Sequence, residues 1–398
     1  MNTITPSIQK SINPTAPAVR LFASAQSWIE GEALRQLYAA AKLDGVGHAV
    51  GFPDLHPGKG SPVGAALVTE GIIYPHLIGG DIGCGMALFK TDLVRRHAKL
   101  DRWAQVSFDL EHVWADEIAD VLAKEELEST DFDDSLGTLG SGNHFAELQA
   151  VEEVLDAREF KKVGLGKQQL VVLVHSGSRG LGESVLRDYV AEHQASGSDA
   201  ESFAASAYLQ GHELAMRWAK VNRKLLAERF AQSLGAQAEL LWDGCHNSIT
   251  PSPGHSATLS HRMGERLGER AWVHRKGAVV AEDEAVMIPG SRGSLSYLVM
   301  PLGDGESRAW SLAHGAGRKW ARSEARLRMR ERFGKEQLVQ TSLGSRVICG
   351  ERDLLYEEAP AAYKNIEAVI QDLVDAGLAS VIATFRPLLT YKTRKPRR

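Results

Sequence analysis

Apolar residues along the chain predict both strands and helices, in no regular alternation. Leu170–Val174 is a continuous apolar run, the pattern of a strand buried on both faces, and it ends on His175. Trp272–Val280 and Ala285–Ile288 read as a strand pair, with Gly277 marking a bulge. From Ser202 to Leu234, residues Tyr208, His212, Ala215, Ala219, Asn222, Leu226 and Phe230 recur at three- and four-residue steps, one face of a long helix. Ile366, Val369, Ile370 and Leu373 repeat that spacing, so a helix is expected over Ala361–Leu373 after the Pro360 start signal. Irregular alternation argues against a parallel doubly wound sheet. The expected fold is α+β: a single large domain over 18–393 with mixed sheets at its core, surrounding helices and a helical insertion at about 190–240. Residues 1–17, rich in Ser, Thr and Pro, read as a loose leader, and 394–398 as a basic tail.

Composition narrows the class. At 43% hydrophobic and 24% charged residues over 398 positions, the chain has the makings of a substantial globular core. The formal net charge is −4, so any nucleic-acid contact has to come from a local basic patch. Three cysteines without a Cys-x-x-Cys pair argue against a disulfide framework and for a reducing, cytoplasmic setting. No apolar run reaches the roughly 18 residues of a membrane span.

The 38 glycines cluster around residues with chemistry. Asp81 and Cys84 lie three apart in GGDIGCGM; alone, they read best as a turn residue and a small buried apolar one. The balance shifts with His144 in GSGNHFAE, His175 in VHSGSRG and His246 in GCHNS, each set among small or polar residues. Carboxylate, thiolate and imidazoles suit a borderline divalent metal such as manganese, iron, cobalt or zinc, and a bridging thiolate can hold two. His97, His112, His193, His261 and His274 read as surface or packing residues, His212 as core, with His56 and His76 between the two classes.

His314 stands in AHGAGR before a helical stretch, where backbone N–H groups can face an anion and Arg318 can fork onto a phosphate. Nucleophile, metal ligand and turn residue are all open to it. Ser291, Ser294 and Ser296 in PGSRGSLSY offer hydroxyls, although such a stretch is usually an ordinary turn. No G-x-x-x-x-G-K-[ST] loop is present. Arg318, Arg322, Arg326 and Arg330, four apart, form a positive stripe if helical, and Lys392, Arg394, Lys395, Arg397 and Arg398 make the end of the chain basic.

The motifs PDLHPGKGSPVG, GGDIGCGM, GTLGSGNHFAE, VHSGSRGLG, CHN, HRKGA, IPGS, HGAGR and EEAPAAYKNI follow one another between Pro53 and Ile366. In that order they resemble the RtcB family of RNA-splicing ligases. The resemblance implies an RNA ligase that joins 3′-phosphate or 2′,3′-cyclic phosphate ends to 5′-hydroxyl ends through a histidine-bound GMP, in RNA repair or tRNA splicing. It implies GTP and two manganese ions (Mn2+) as cofactors, and it raises an archease-type activator as a protein partner. On this reading Asp81, Cys84, His144, His175 and His246 hold the metals, with Cys84 shared, and His314 is the nucleophile. Asn143 and Arg318 contact GTP phosphates; Glu147, Ser291, Ser296, Tyr363 and Lys392 line the guanosine pocket; Arg179 touches the RNA end. Two positions depart from the family pattern. Arg292 replaces a usual Met in the PGS motif, and Lys392 is followed by Thr393 where family members commonly end in Lys-Gly. The alternatives are a dinuclear-metal phosphoesterase that forms no guanylate, and an RNA-binding factor without catalysis.

Overall fold

The structure, a computed structural model, describes residues 18–106, 108–112, 118–253 and 271–394. The expectations for the leader, for His261 and for Lys395, Arg397 and Arg398 lie outside the described residues. In chain order the first strands are β1 (Ala18–Leu21), β2 (Val46–His56), β3 (Val63–Glu70), β4 (Ile72–Ile73), β5 (Gly85–Val94) and β6 (Phe145–Val154). Then come β7 (Gln169–Ser176), β8 (Ser198–Asp199), β9 (Ala238–Cys245), β10 (Asn247–Pro251), β11 (Ala271–Lys276) and β12 (Ala278–Val280). The last are β13 (Val286–Ile288), β14 (Ser296–Pro301), β15 (Ser311–Ala313), β16 (Arg346–Cys349) and β17 (Ala379–Thr393).

The larger sheet runs β13-β14-β17-β6-β7-β5-β9, all antiparallel, with β16 parallel beside the end of β17. Its end strands β13 and β9 approach each other, so the sheet curls towards a barrel. A second sheet runs β1-β2-β3-β11-β10, with β1 and β2 parallel, and the short pairs β12-β15 and β4-β8 complete the set. The fold is therefore α+β with mixed sheets in one domain, as the irregular pattern implied.

The strand ending at His175 is β7. Leu170, Val172 and Val174 pack towards Leu226 and Phe230 of the helix Phe203–Ser233. Val171 and Leu173 point to the opposite face, against Leu88, Leu298 and Phe385. Burial on both faces is why this strand reads as an unbroken apolar run. The long helix starts at Ser202, whose hydroxyl accepts from Ala205 N, and all seven positions of its predicted face are buried.

Two expectations need correction. Trp272–Val280 is not one strand. Gly277, at φ +61°, turns the chain from β11 in one sheet to β12 in another, while the segment around Ala285 pairs as β13 with β14. The late helix runs Ile366–Asp375, capped by the Asn365 side chain on Glu367 N, and Pro360 opens only a 3-10 turn. Tyr363 and Lys364 stay out of the helix. Tyr363 pairs with Arg318 in an isolated bridge, and Lys364 Nζ donates to Pro53 O at 3.0 Å and Leu55 O at 2.6 Å. Periodicity cannot see such tertiary demands.

Two buried polar residues of the long helix tie it to the loops at one sheet edge. Asn222 accepts from Gly137 N at 2.7 Å and donates to Thr138 O, Ser176 Oγ and Gly177 O. Arg223, fully buried, forks onto Asp243 of β9 at 2.7 and 2.6 Å and donates to Gly83 O and Ser176 O. Burial alone would lower its pKa, but Asp243 outweighs this and the pKa is raised. Removing one member of a buried ion pair leaves the other uncompensated. Arg223→Met should cost about 3–5 kcal/mol in chemical denaturation, and adding Asp243→Leu should recover much of it. A cost under about 1 kcal/mol would show that this pair does not anchor the helix.

Candidate active site

Strands β6, β7, β5 and β9 are neighbours in that order, and each has one end at the same sheet edge. The register pairs Phe145 and Met86 with His175, and Gly85 with Cys245. His144 immediately precedes β6, Cys84 immediately precedes β5, and His246 immediately follows β9. The four side chains therefore come together although up to 162 positions separate them in sequence. Asp81 joins them from the turn before Cys84. That turn packs against Gly177, where a Cβ would sit 2.5 Å from Asp81 Oδ1.

Cys84 Sγ lies 3.2 Å from His175 Nε2 and 3.6 Å from His144 Nε2. His175 Nε2 is 3.4 Å from His246 Nε2, and His144 Nε2 is 3.8 Å from Asp81 Oδ2. Two donor triads result, Cys84–His175–His246 and Asp81–Cys84–His144, the atoms of each within 4.8 Å of one another. Cys84 belongs to both. The imidazoles are oriented for coordination: His144 Nδ1 donates to Leu139 O at 3.0 Å and His175 Nδ1 to Asn143 O at 3.2 Å, since a carbonyl can only accept. Each Nε2 then faces the cluster as a bare lone pair. Burial first, and neighbouring imidazoles second, hold the His175 and His246 pKa values well below the histidine range, so both are neutral at pH 7. Burial and then the Asp81 charge push the Cys84 thiol well above its usual value. A soft sulfur and neutral nitrogens, with two of the ring protons committed to carbonyls, fit one or two divalent cations.

His314 follows β15, which pairs with β12, and Ala278 N of β12 donates to His246 O at 3.2 Å. The His314 and His246 ring centroids are 4.8 Å apart. Asp54, fully buried on β2, accepts from His314 Nδ1 at 2.6 Å and from His314 N at 3.2 Å. Nδ1 thus carries the proton and Nε2 is left with a free lone pair. The motif PDLHPGKGSPVG holds Asp54, but nothing in the sequence tied it to a residue 260 positions away. His56, two residues on, lines the same pocket; burial brings its pKa down to about 4, and its Nδ1 donates to Asp54 O. His212 and His274 accept from Ile249 N and Tyr74 N, the packing roles expected of them.

The pocket beside this centre is lined by Asn143, Glu147, Ser291, Arg318, Tyr363 and Lys392, together with His314 and members of both triads. Ser296 is set back from the lining: it accepts from Gln149 Nε2 at 3.0 Å, and the same nitrogen donates to Glu147 Oε1 at 2.6 Å. Thr390 donates to the other Glu147 oxygen, and burial raises the Glu147 pKa above the usual carboxylate value. Arg179 is also outside the lining; it sits at φ +57° before the helix Gly180–His193, against Gly140.

A second residue missed in the sequence, Glu358, organises the cations. Arg318 Nη1 donates to it at 2.9 Å, Lys392 Nζ is 3.6 Å away, and the Tyr363 hydroxyl donates to it. Burial pushes the Glu358 pKa up, but Lys392, Arg318 and these bonds overcome that and hold it at about 2. The expected helical stripe needs correction here. The helix runs Arg322–Arg332, so Arg318 lies before it in the pocket, and Arg326 and Arg330 both pair with Asp353. Lys392, within β17, is buried in the pocket.

A family profile described as tRNA-splicing ligase RtcB matches residues 36–114 and 109–393. Over 383 residues the chain is 42% identical to RNA-splicing ligase RtcB2 of Escherichia coli, covering 96% of this chain and 98% of that protein. It is 29% identical to tRNA-splicing ligase RtcB of Archaeoglobus fulgidus, with 90% and 91% covered. It is also 29% identical to RNA-splicing ligase RtcB of Mycobacterium tuberculosis, with 89% and 99% covered. Matches of this length leave almost no part of the chain outside the likeness, and the chain belongs to the RtcB family.

Proposed function

We propose that this protein is a manganese-dependent, GTP-using RNA ligase that seals RNA 3′-phosphate or 2′,3′-cyclic phosphate ends to 5′-hydroxyl ends. The observation that carries the reading is His314, with Nδ1 held by Asp54 and its ring against the His246 edge of a metal-ligand cluster. An imidazole fixed in one tautomer beside such a cluster suits attack on phosphorus. His314 Nε2 forms a bond to the GTP α-phosphorus while the bond to the β-phosphate oxygen breaks and pyrophosphate leaves. Asp54 offsets the positive charge that the ring then gains. Water opens a 2′,3′-cyclic phosphate to the 3′-phosphate, whose oxygen takes the guanylate and frees His314. The 5′-hydroxyl then attacks the 3′-phosphorus and GMP departs. A bare phosphate monoester has no comparable leaving group, which is the chemical reason for the guanylate.

Asp81, Cys84, His144, His175 and His246 would hold two manganese ions, which when bound supply Lewis-acid neutralisation of the phosphates. Asn143 and Arg318 are assigned to GTP phosphates, Glu147, Ser291, Ser296, Tyr363 and Lys392 to guanosine, and Arg179 to the RNA end. A cytoplasmic setting accords with three free, buried cysteines.

Incubation with α-labelled GTP and Mn2+ should give an acid-labile protein adduct, lost in His314→Ala. RNA-end cleavage without an adduct would establish the phosphoesterase alternative instead. Asp54→Asn should slow adduct formation on the order of 100-fold or more by releasing the tautomer, while leaving metal content intact. An adduct rate within about threefold of wild type would remove Asp54 from the mechanism.

Metal content tests the shared ligand. After Mn2+ loading and gel filtration, wild type should retain about two ions per chain, and His144→Ala or His246→Ala about one. Cys84→Ala should retain none, because both triads include it. One full-occupancy ion in Cys84→Ala would contradict a shared thiolate.

A further inference from the structure

Arg292 is 6% exposed and lines the pocket on the same wall as Ser291. Its Nη2 donates to Leu355 O at 2.9 Å, and Ser345 Oγ donates to its carbonyl at 3.2 Å. Its Nε and Nη1, also buried, have no partner. Glu358 and Glu147, the two pocket carboxylates whose charges reach Arg292, do not accept from these atoms. Glu358 serves Arg318, Tyr363 and Lys392, and Glu147 serves Gln149 and Thr390. Guanidinium stays charged at all ordinary pH values, and leaving its N–H groups buried without acceptors is costly. A site that holds such a group open is one in which the ligand brings the acceptors.

The chemistry of that ligand follows from the pair of groups on offer. Glu147 presents acceptors, since a carboxylate receiving two bonds still has free lone pairs. Arg292 presents donors. A guanine edge has the complementary layout, with N1–H and the 2-amino group as donors and O6 and N7 as acceptors, and arginine to O6 and N7 is the commonest guanine contact. Adenine inverts it: its 6-amino group would face a guanidinium, and its N1 lone pair would face a carboxylate.

Resting on the guanine-nucleotide reading above, we propose that Arg292 is a specificity-determining residue. Its unpartnered Nη1, together with the second N–H of the neighbouring Nη2, donates to O6 and N7 of a guanine whose N1–H and 2-amino group are held by Glu147.

Calorimetric binding of GMP, AMP and 7-deaza-GMP to the full chain tests this without turnover. Wild type should bind GMP more tightly than 7-deaza-GMP, which lacks only the N7 acceptor, by roughly fivefold or more. Arg292→Met should erase that difference and narrow the preference for GMP over AMP on the order of 5- to 150-fold. Arg292→Lys, with a charge but no fork, should fall between them. Equal wild-type affinity for GMP and 7-deaza-GMP would overturn the proposal whether or not either variant folds. So would an Arg292→Met variant that weakens GMP, AMP and 7-deaza-GMP alike, since that is the behaviour of a ribose or phosphate contact. Normal GMP binding in these two cases leaves the ligase reading standing, whereas a wild-type chain that binds no guanine nucleotide overturns both.

Discussion

Because side chains alternate between faces along a strand, the Asp–Cys–His cluster depends on register. His175 is opposite Met86 on one side and Phe145 on the other, and Cys84 and His246 flank the Gly85–Cys245 pair. A slip of one residue would turn β7 over, exchanging the Leu170–Val172–Val174 face for the Val171–Leu173 face and sending His175 away from its partners. Both faces of β7 pack against apolar cores, so residue class alone does not distinguish a slipped arrangement; the fit of these particular side chains does. Side-chain fit in the two cores thereby sets the coarse geometry of the cluster.

Polar groups add the fine adjustment. Asn222 and Arg223 reach from one helix to the turns at Gly137–Thr138, Gly83 and Ser176–Gly177, which flank the segments bearing Cys84, His144 and His175. On the other side of the pocket, Glu358 gathers Arg318, Lys392 and Tyr363, so the cations of the pocket are held in place by the protein itself. Pre-ordered charges of this kind need little reorganisation during reaction.

How much of this was legible in the sequence depended on the kind of information each feature needs. The long helix, the doubly buried β7 and the α+β class were readable because their signals are local and periodic. His144, His175, His246, Asp81 and Cys84 stood out by residue type and glycine-rich context, and the resemblance bound them into one set. Asp54 and Glu358 lay inside quoted motifs yet carried no signal of their own, since an isolated acid gives no indication of its partner 260 or 40 positions away. The four-residue spacing of the arginines continues across the helix start at Arg322, so it cannot show that Arg318 lies outside the helix, in the Arg318–Tyr363 bridge. Asn222 falls on the packed face of the pattern like its apolar neighbours, for helical periodicity reports burial and is silent about hydrogen bonds.

Gly277 joins the two sheets at the point where β11 gives way to β12. A methyl group there would lie 3.0 Å from His314 Cε1, 2.9 Å from Gly64 N and 2.3 Å from Val63 Cγ1. The turn between the sheets and the clearance around the imidazole are thus one small volume. Any side chain added at that joint would have to displace the His314 ring or the β3 backbone, so the crossing from one sheet to the other and the orientation of the imidazole are under a single steric constraint.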